Sequence, residues 1–184
     1  MKTIRPRENW DINFKDITVW DNFFTDECLK ILRYRILYAK YFDTQYDGYA
    51  AIDYFKNQDH LTELIAKELS SKINLPEFQR AWSFVYDHEH AGVGIHCDPS
   101  IVNINIWVSA DTIIKDESKN GLMIYKIKPP EAWKRSEWNG SKNGMGLKYI
   151  QSLNVKPTQV PYKSNRAIFF DGAYFHNSNN VSTK

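Results

Sequence analysis

From Arg80 onward the chain offers only short β-like segments, and everything with helical spacing lies before it; this order limits the fold more than any other feature. Thr25 is a good N-cap, and Asp26 and Glu27 follow in the first turn, where carboxylates suit the helix dipole. Cys28, Ile31, Leu32, Arg35 and Ile36 then recur at helical spacing, which predicts a helix from about Asp26 to Ala39. A second helix fits Asp59 to Lys72, with Asp59 as cap and Leu61, Leu64, Ile65 and Leu69 as its apolar stripe. After Arg80 the β-like segments are Trp82–Tyr86, Ile101–Ser109, Gly121–Ile127, Gln151–Val160 and Arg166–Asp171, separated by Gly, Asn, Asp and Pro. Ile17 to Phe24 adds a short apolar run, a strand leading into the first helix. Helices first and strands after describe an α+β, β-dominated chain: a barrel or jelly roll with helices packed outside one sheet.

The 184 residues suit one domain, 1–184, with a mainly helical part over 1–79 and a jelly-roll core over 80–184. An aromatic share of 15% agrees with a β-rich body, since aromatics favour half-buried pleated surfaces. With 24 basic and 22 acidic residues there is no basic stripe, so no nucleic-acid partner is expected. The start, Met1 to Trp10, lacks an apolar signal core, and no stretch approaches a membrane span. Cys28 and Cys97 stand in no metal or redox spacing and suit a reduced, cytoplasmic setting.

The chemistry concentrates at Gly94-Ile95-His96-Cys97-Asp98-Pro99. Side chains two apart on an extended segment point the same way, so His96 and Asp98 reach one metal together, and Cys97 points away. His176 is placed to be the third ligand, after Ala167-Ile168-Phe169-Phe170 and the turn Asp171-Gly172. Two neutral imidazoles and one carboxylate form the facial triad of non-haem Fe(II) oxygenases, which leaves three positions open. Catalytic zinc accepts the same ligands, so their chemistry alone leaves the metal open. His88 and His90 repeat the spacing but belong to a polar turn, and His60 starts a helix at the surface.

The run from Tyr86 through Gly92, Gly94, His96-Cys97-Asp98-Pro99, Asn103-Ile104-Asn105-Ile106-Trp107 and Ala110-Asp111 to Gly121-Leu122-Met123-Ile124-Tyr125 resembles the Fe(II)/2-oxoglutarate-dependent dioxygenase superfamily. The likeness is to its prolyl-hydroxylase-like and phytanoyl-CoA-hydroxylase-like branches. Pro161-Tyr162-Lys163-Ser164-Asn165-Arg166-Ala167-Ile168-Phe169-Phe170-Asp171, with Tyr174-Phe175-His176, is similar to the strand that carries the family's distal histidine. The resemblance spans roughly Tyr86 to Asn177. It implies a double-stranded β-helix, the cupin-like jelly roll, with Fe(II) on His96, Asp98 and His176. It also implies 2-oxoglutarate as co-substrate, dioxygen as oxidant, succinate and CO2 as products, and hydroxylation of a small-molecule or peptidyl substrate.

The same branches hold the far carboxylate of 2-oxoglutarate with a basic residue on the strand after the distal histidine. Here no Arg follows His176, and Lys184 ends the sequence. Three expectations compete: a longer parent chain, a substitute such as Arg166 or Lys163, or Lys184 itself. The absent strand also predicts an open sheet edge. Asn103 and Asn105 alternate with Ile104 and Ile106, and either form a wet face or line the barrel towards the co-substrate. Tyr86 either reaches a carboxylate or is a satisfied core residue. The aromatic stretch Tyr41–Phe55 is loop or short strand that suits a ligand with an apolar face. Trp133–Gly146 reads as a mobile loop, and Pro129–Gly146, with Trp133 and Trp138, as either a lid or inert surface. Two alternatives stay beside the dioxygenase: a jelly roll that binds a ligand or partner without catalysis, and a cupin-type enzyme with another divalent metal.

Overall fold

Thr25 starts the first helix as its sequence predicts, its hydroxyl accepting a hydrogen bond from the Cys28 amide at 3.3 Å. The structure, a computed structural model, describes residues 2–3, 16–39, 42–46, 49–53, 60–74, 80–86, 92–116, 119–138, 144–178 and 182. In chain order its elements begin with β1 (Lys2–Thr3), β2 (Thr18–Asp21), α1 (Asp26–Leu37), β3 (Thr44–Tyr46) and β4 (Tyr49–Asp53). Next come α2 (Leu61–Ser70), β5 (Trp82–Tyr86), β6 (Asn103–Ile106) and β7 (Gly121–Tyr125). The chain continues through α3 (Arg135–Trp138), α4 (Met145–Ser152), β8 (Thr158–Pro161), β9 (Arg166–Phe170) and β10 (Phe175–Ser178).

Several expectations change in detail. The first helix stops at Leu37, and the second begins at Leu61 after His60, which supplies no side-chain cap. The expected cap, Asp59, lies outside the described residues, as do His88 and His90. Gln151 and Ser152 end α4, so the strand expected from Gln151 begins only at Thr158. Of the mobile loop expected over 133–146, residues 139–143 lie outside the described residues; the rest is partly helical. Residues 135–138 are helical, Met145 opens a second helix, and Trp133 and Trp138 are packed against a core cluster.

Three sheets form, with strand orders β1-β2-β9-β6, β10-β7-β8 and β3-β4-β5. All pairings are antiparallel except β1 with β2. Among the described residues β5 and β6 each pair with a strand on one side only.

Register fixes which side chains share a face of the first sheet. Asn103 stands opposite Phe170, Asn105 opposite Ile168, and Val19 opposite Ile168 on the far side. Directly opposed residues point the same way, so Val19, Ile168, Phe170, Asn103 and Asn105 share one face. The apolar members pack with Leu122, Ile124 and Val160 of the second sheet. The opposite face, with Trp20, Ala167 and Phe169, joins Leu29 and Leu32 of α1 and Leu61 and Leu69 of α2; Ile104 and Ile106 pack against this cluster. The helices therefore cover one side of the first sheet, as expected, and the second sheet covers part of the other. A separate cluster of Cys97, Ile150 and Phe175, ringed by Trp133, Trp138 and Tyr149, gathers residues of α4 and its surroundings.

Candidate metal centre

A short antiparallel bridge builds the site. His96 and His176 exchange both backbone hydrogen bonds, at 3.0 and 2.8 Å, so the segment carrying the first two candidate ligands runs alongside β10. The Asp98 amide donates to the Gly172 carbonyl at 2.8 Å and the Ser178 amide to the Val93 carbonyl at 3.0 Å, which extends the contact on both sides. Gly172 is required at its place, because a Cβ there would sit 2.0 Å from Ser100 Oγ and 2.5 Å from its carbonyl oxygen.

The bridge brings His96, Asp98 and His176 together: one nitrogen or oxygen from each lies within 4.8 Å of the others. The imidazole rings are 4.2 Å apart, and Phe170 meets His176 edge-on at 4.9 Å. His96 Nδ1 lies 2.7 Å from the Gly94 carbonyl, and His176 Nδ1 lies 2.9 Å from that of Tyr174. A carbonyl oxygen only accepts, so each Nδ1 carries a proton, and Nε2 is the nitrogen each ring can offer to the cluster. Asp98 is braced as well. Asn103 Nδ2 donates to Asp98 Oδ2, and Ser100 Oγ donates to Asn103 Oδ1, both at 2.5 Å.

The titration behaviour suits this arrangement. Burial, reinforced by the neighbouring His176, pushes the His96 pKa down to about 4, which leaves the ring neutral near pH 7. Burial works against ionised Asp98, but hydrogen bonding to His176, the charge either imidazole carries when it is protonated and the Asn103 amide together hold its pKa below the ordinary value. His176 Nε2 is 3.5 Å from Asp98 Oδ2. Two Nε2 lone pairs and a carboxylate oxygen gathered within 4.8 Å make a donor set that a divalent ion fits.

The other expected residues are placed as follows. Asn103 holds Asp98. Asn105 lies one inward-facing position further along β6, opposite Ile168. Tyr86 is half-buried, which raises its pKa, and is hydrogen-bonded to the Ser178 side chain, on the strand that carries His176. Arg166 stands apart, at the opposite end of β9 from Phe170, about 13 Å away at the usual rise per strand residue. Its Nε and Nη2 bond Asp21 at 2.6 and 3.0 Å and its Nη1 bonds the Pro161 carbonyl at 2.9 Å, while Lys163 also pairs with Asp21 at 3.0 Å. Cys97 is buried and packed away from the cluster, and burial pushes its thiol up to about 12, as its alternation predicts. His60 lies at the surface, its side chain 90% exposed. Sequence reasoning missed Ser100, Gly172 and the two carbonyls that orient the rings. Ser100 directly follows the motif, but only the fold brings it to Asn103 and Gly172.

No protein-family model matches the chain, and no curated protein matches it in sequence. Its structure is similar to that of HygX from Streptomyces hygroscopicus, crystallised with nickel, 2-oxoglutarate and hygromycin B bound. The likeness has a TM-score of 0.51 at 10% identity and covers 91% of this chain and 78% of that one. At such identity it concerns the fold alone. Fold and cluster define a strand-rich protein of mixed α and β structure, built mainly from antiparallel sheets, with a His-Asp-His group able to hold a metal ion. No helix among the described residues is long and apolar enough to cross a membrane.

Proposed function

We propose that the chain is a non-haem Fe(II)- and 2-oxoglutarate-dependent dioxygenase of jelly-roll architecture, which hydroxylates a small-molecule or peptidyl substrate. The observation that carries this reading is the convergence of His96, Asp98 and His176 with both Nδ1 atoms tied to carbonyls, so that each imidazole has an Nε2 lone pair to give. The fold shared with a protein crystallised with a metal and 2-oxoglutarate supports it. When bound, Fe(II) supplies the chemistry in which dioxygen decarboxylates 2-oxoglutarate to succinate and CO2 and a substrate C–H bond becomes C–OH.

The chain's own residues bind and orient. His96 and His176 give neutral nitrogen donors, and Asp98 offsets one unit of the metal's charge. Asn103 fixes which way the Asp98 carboxylate turns, through the 2.5 Å bond to Oδ2. Phe170, fully buried against His176, keeps water from that side of the ring. Asn105 and Tyr86 are assigned to the co-substrate; Asn105 shares the inward face of the first sheet, and Tyr86 is linked to Ser178. Arg166 would have to leave Asp21 to join them, so it ranks below these two. A cytoplasmic location belongs to the same proposal.

The test is an anaerobic titration of metal-free protein with Fe(II) and then 2-oxoglutarate, followed by visible absorption. A metal-to-ligand charge-transfer band that needs both additions and is lost in Asp98→Ala is expected. Iron bound without the band would refute the co-substrate, and iron stoichiometry unchanged in Asp98→Ala would refute the triad.

A further inference from the structure

The residues next to the ligands face the other way. Ile95 and Cys97 flank His96, and Phe175 precedes His176, so on extended segments all three turn their side chains from the metal cluster. They meet in one place: Cys97 and Phe175 are fully buried there with Ile150 of α4, and Ile95, Trp133, Trp138 and Tyr149 pack around them. Tyr149 lies 6.4 Å from Phe175 and 5.2 Å from Trp133, ring centre to ring centre.

Gly146, in the first turn of α4, touches both ligand-bearing segments at once. A Cβ at this position would stand 3.0 Å from Phe175 Cε1 and 3.3 Å from Ile95 Cγ2. Glycine is a poor helix former, and nothing in the backbone angles here calls for it, so close approach accounts for its presence. Phe175 is wholly enclosed, and its backbone leads directly to His176, so a push on its ring is passed to that ligand.

We infer that α4, seated through Gly146 on Phe175 and Ile95, is a positioning element that sets the spacing of His96 and His176 from behind. Gly146 and Phe175 are positioning residues, and α4, with Trp133 and Trp138 packed beside it, forms a backplate behind the ligand-bearing segments. This inference rests on the metal reading of His96, Asp98 and His176.

The experiment measures Co(II) affinity and the visible ligand-field spectrum of the Co(II) protein, together with thermal stability, in wild type, Gly146→Ala, Phe175→Leu, the double variant and Leu32→Ala. Leu32 belongs to the helix-facing core, away from the ligand-bearing segments, and serves as the destabilised control. Gly146→Ala sets a better helix former against a tight contact with Phe175 and is expected to change the melting temperature little, while Co(II) affinity falls by about tenfold and the ligand-field bands shift. Phe175→Leu in the Gly146→Ala background removes the ring edge that the new methyl meets and is expected to recover most of that affinity. Leu32→Ala should lower the melting temperature and leave affinity and spectrum alone. Affinity within twofold of wild type in Gly146→Ala overturns the proposal, as does an equal loss of affinity in Leu32→Ala. Should Gly146→Ala not fold, Phe175→Leu alone decides, by losing affinity or keeping it. Wild type that binds no Co(II) in an Asp98-dependent way overturns the metal reading first, and this proposal with it.

Discussion

The first sheet has two faces made by the same strands, and they do opposite work. Towards the helices, Trp20, Ala167 and Phe169 are buried apolar groups, with Ile104 and Ile106 packed on them. On the inward face, one residue along each strand, Asn103, Asn105, Arg166 and Asp21 stand beside Val19, Ile168 and Phe170. Alternation with a period of two lets a single strand such as Asn103–Ile106 glue the layers with one side and brace Asp98 with the other. The helix-facing side should therefore govern stability, and the inward side metal and ligand binding.

The largest test of this contrast is Asp98→Ala. It is expected to abolish iron binding, measured as metal per chain, with the far-ultraviolet spectrum and melting temperature nearly unchanged; a collapse of the fold would break the contrast. Phe169→Ala, on the helix-facing side and fully buried, should cost about 3–5 kcal/mol in urea unfolding. Metal affinity in whatever fraction stays folded should be normal. Asn103→Ala removes the donor to Asp98 and should weaken metal binding by about 10–100-fold with a small change in stability. A larger stability loss than affinity loss would make Asn103 a structural residue.

A pH effect separates Asp21 from the metal cluster. The Arg166 hydrogen bonds, aided by Lys163, hold the Asp21 carboxyl below its ordinary value against its partial burial. A carboxyl whose pKa is lower in the folded state adds stability above the unfolded pKa and loses it as pH falls through the folded one. Wild type should therefore lose more stability than Asp21→Asn between about pH 5 and about pH 2, and equal acid slopes would remove Asp21 from the account. The smallest effect expected is at a helix end: Thr25→Ala should cost about 1 kcal/mol in unfolding free energy and leave metal affinity untouched.

How much of this was legible in the sequence depends on how local the signal is. The Thr25 cap, the stripe of α2 and the alternation of Asn103 to Ile106 are written in neighbouring residues, and those elements form within a few residues of their expected places. His96 and Asp98 announce themselves by spacing, and His176 by the segment before it; the structure brings the three together. The ring-orienting carbonyls carry no side-chain signature. Ser100 and Gly172 matter only once two distant segments lie side by side. In the region expected to be a mobile loop, 133–146, the run rich in Gly, Asn and Ser over 139–143 lies outside the described residues, while Trp133 and Trp138 before it are half-buried against residues far away in sequence, a contact that no local composition signals. Arg166 was a reasonable candidate for an anion by charge alone, but Asp21, opposite it on β2, claims its guanidinium.

The reciprocal bridge between His96 and His176 also bears on how the chain acquires its site. These residues are on the order of 80 positions apart, so their pairing closes a long loop, and contacts of that kind form late because chain entropy opposes them. A chain still emerging from the ribosome has His96 and Asp98 long before His176. Two ligands hold a metal far more weakly than three, so metal capture belongs to the last stage of folding. An ion held there would join the two ends of that loop and act as a cross-link, slowing the opening of β10 more than the loss of any one hydrogen bond would suggest.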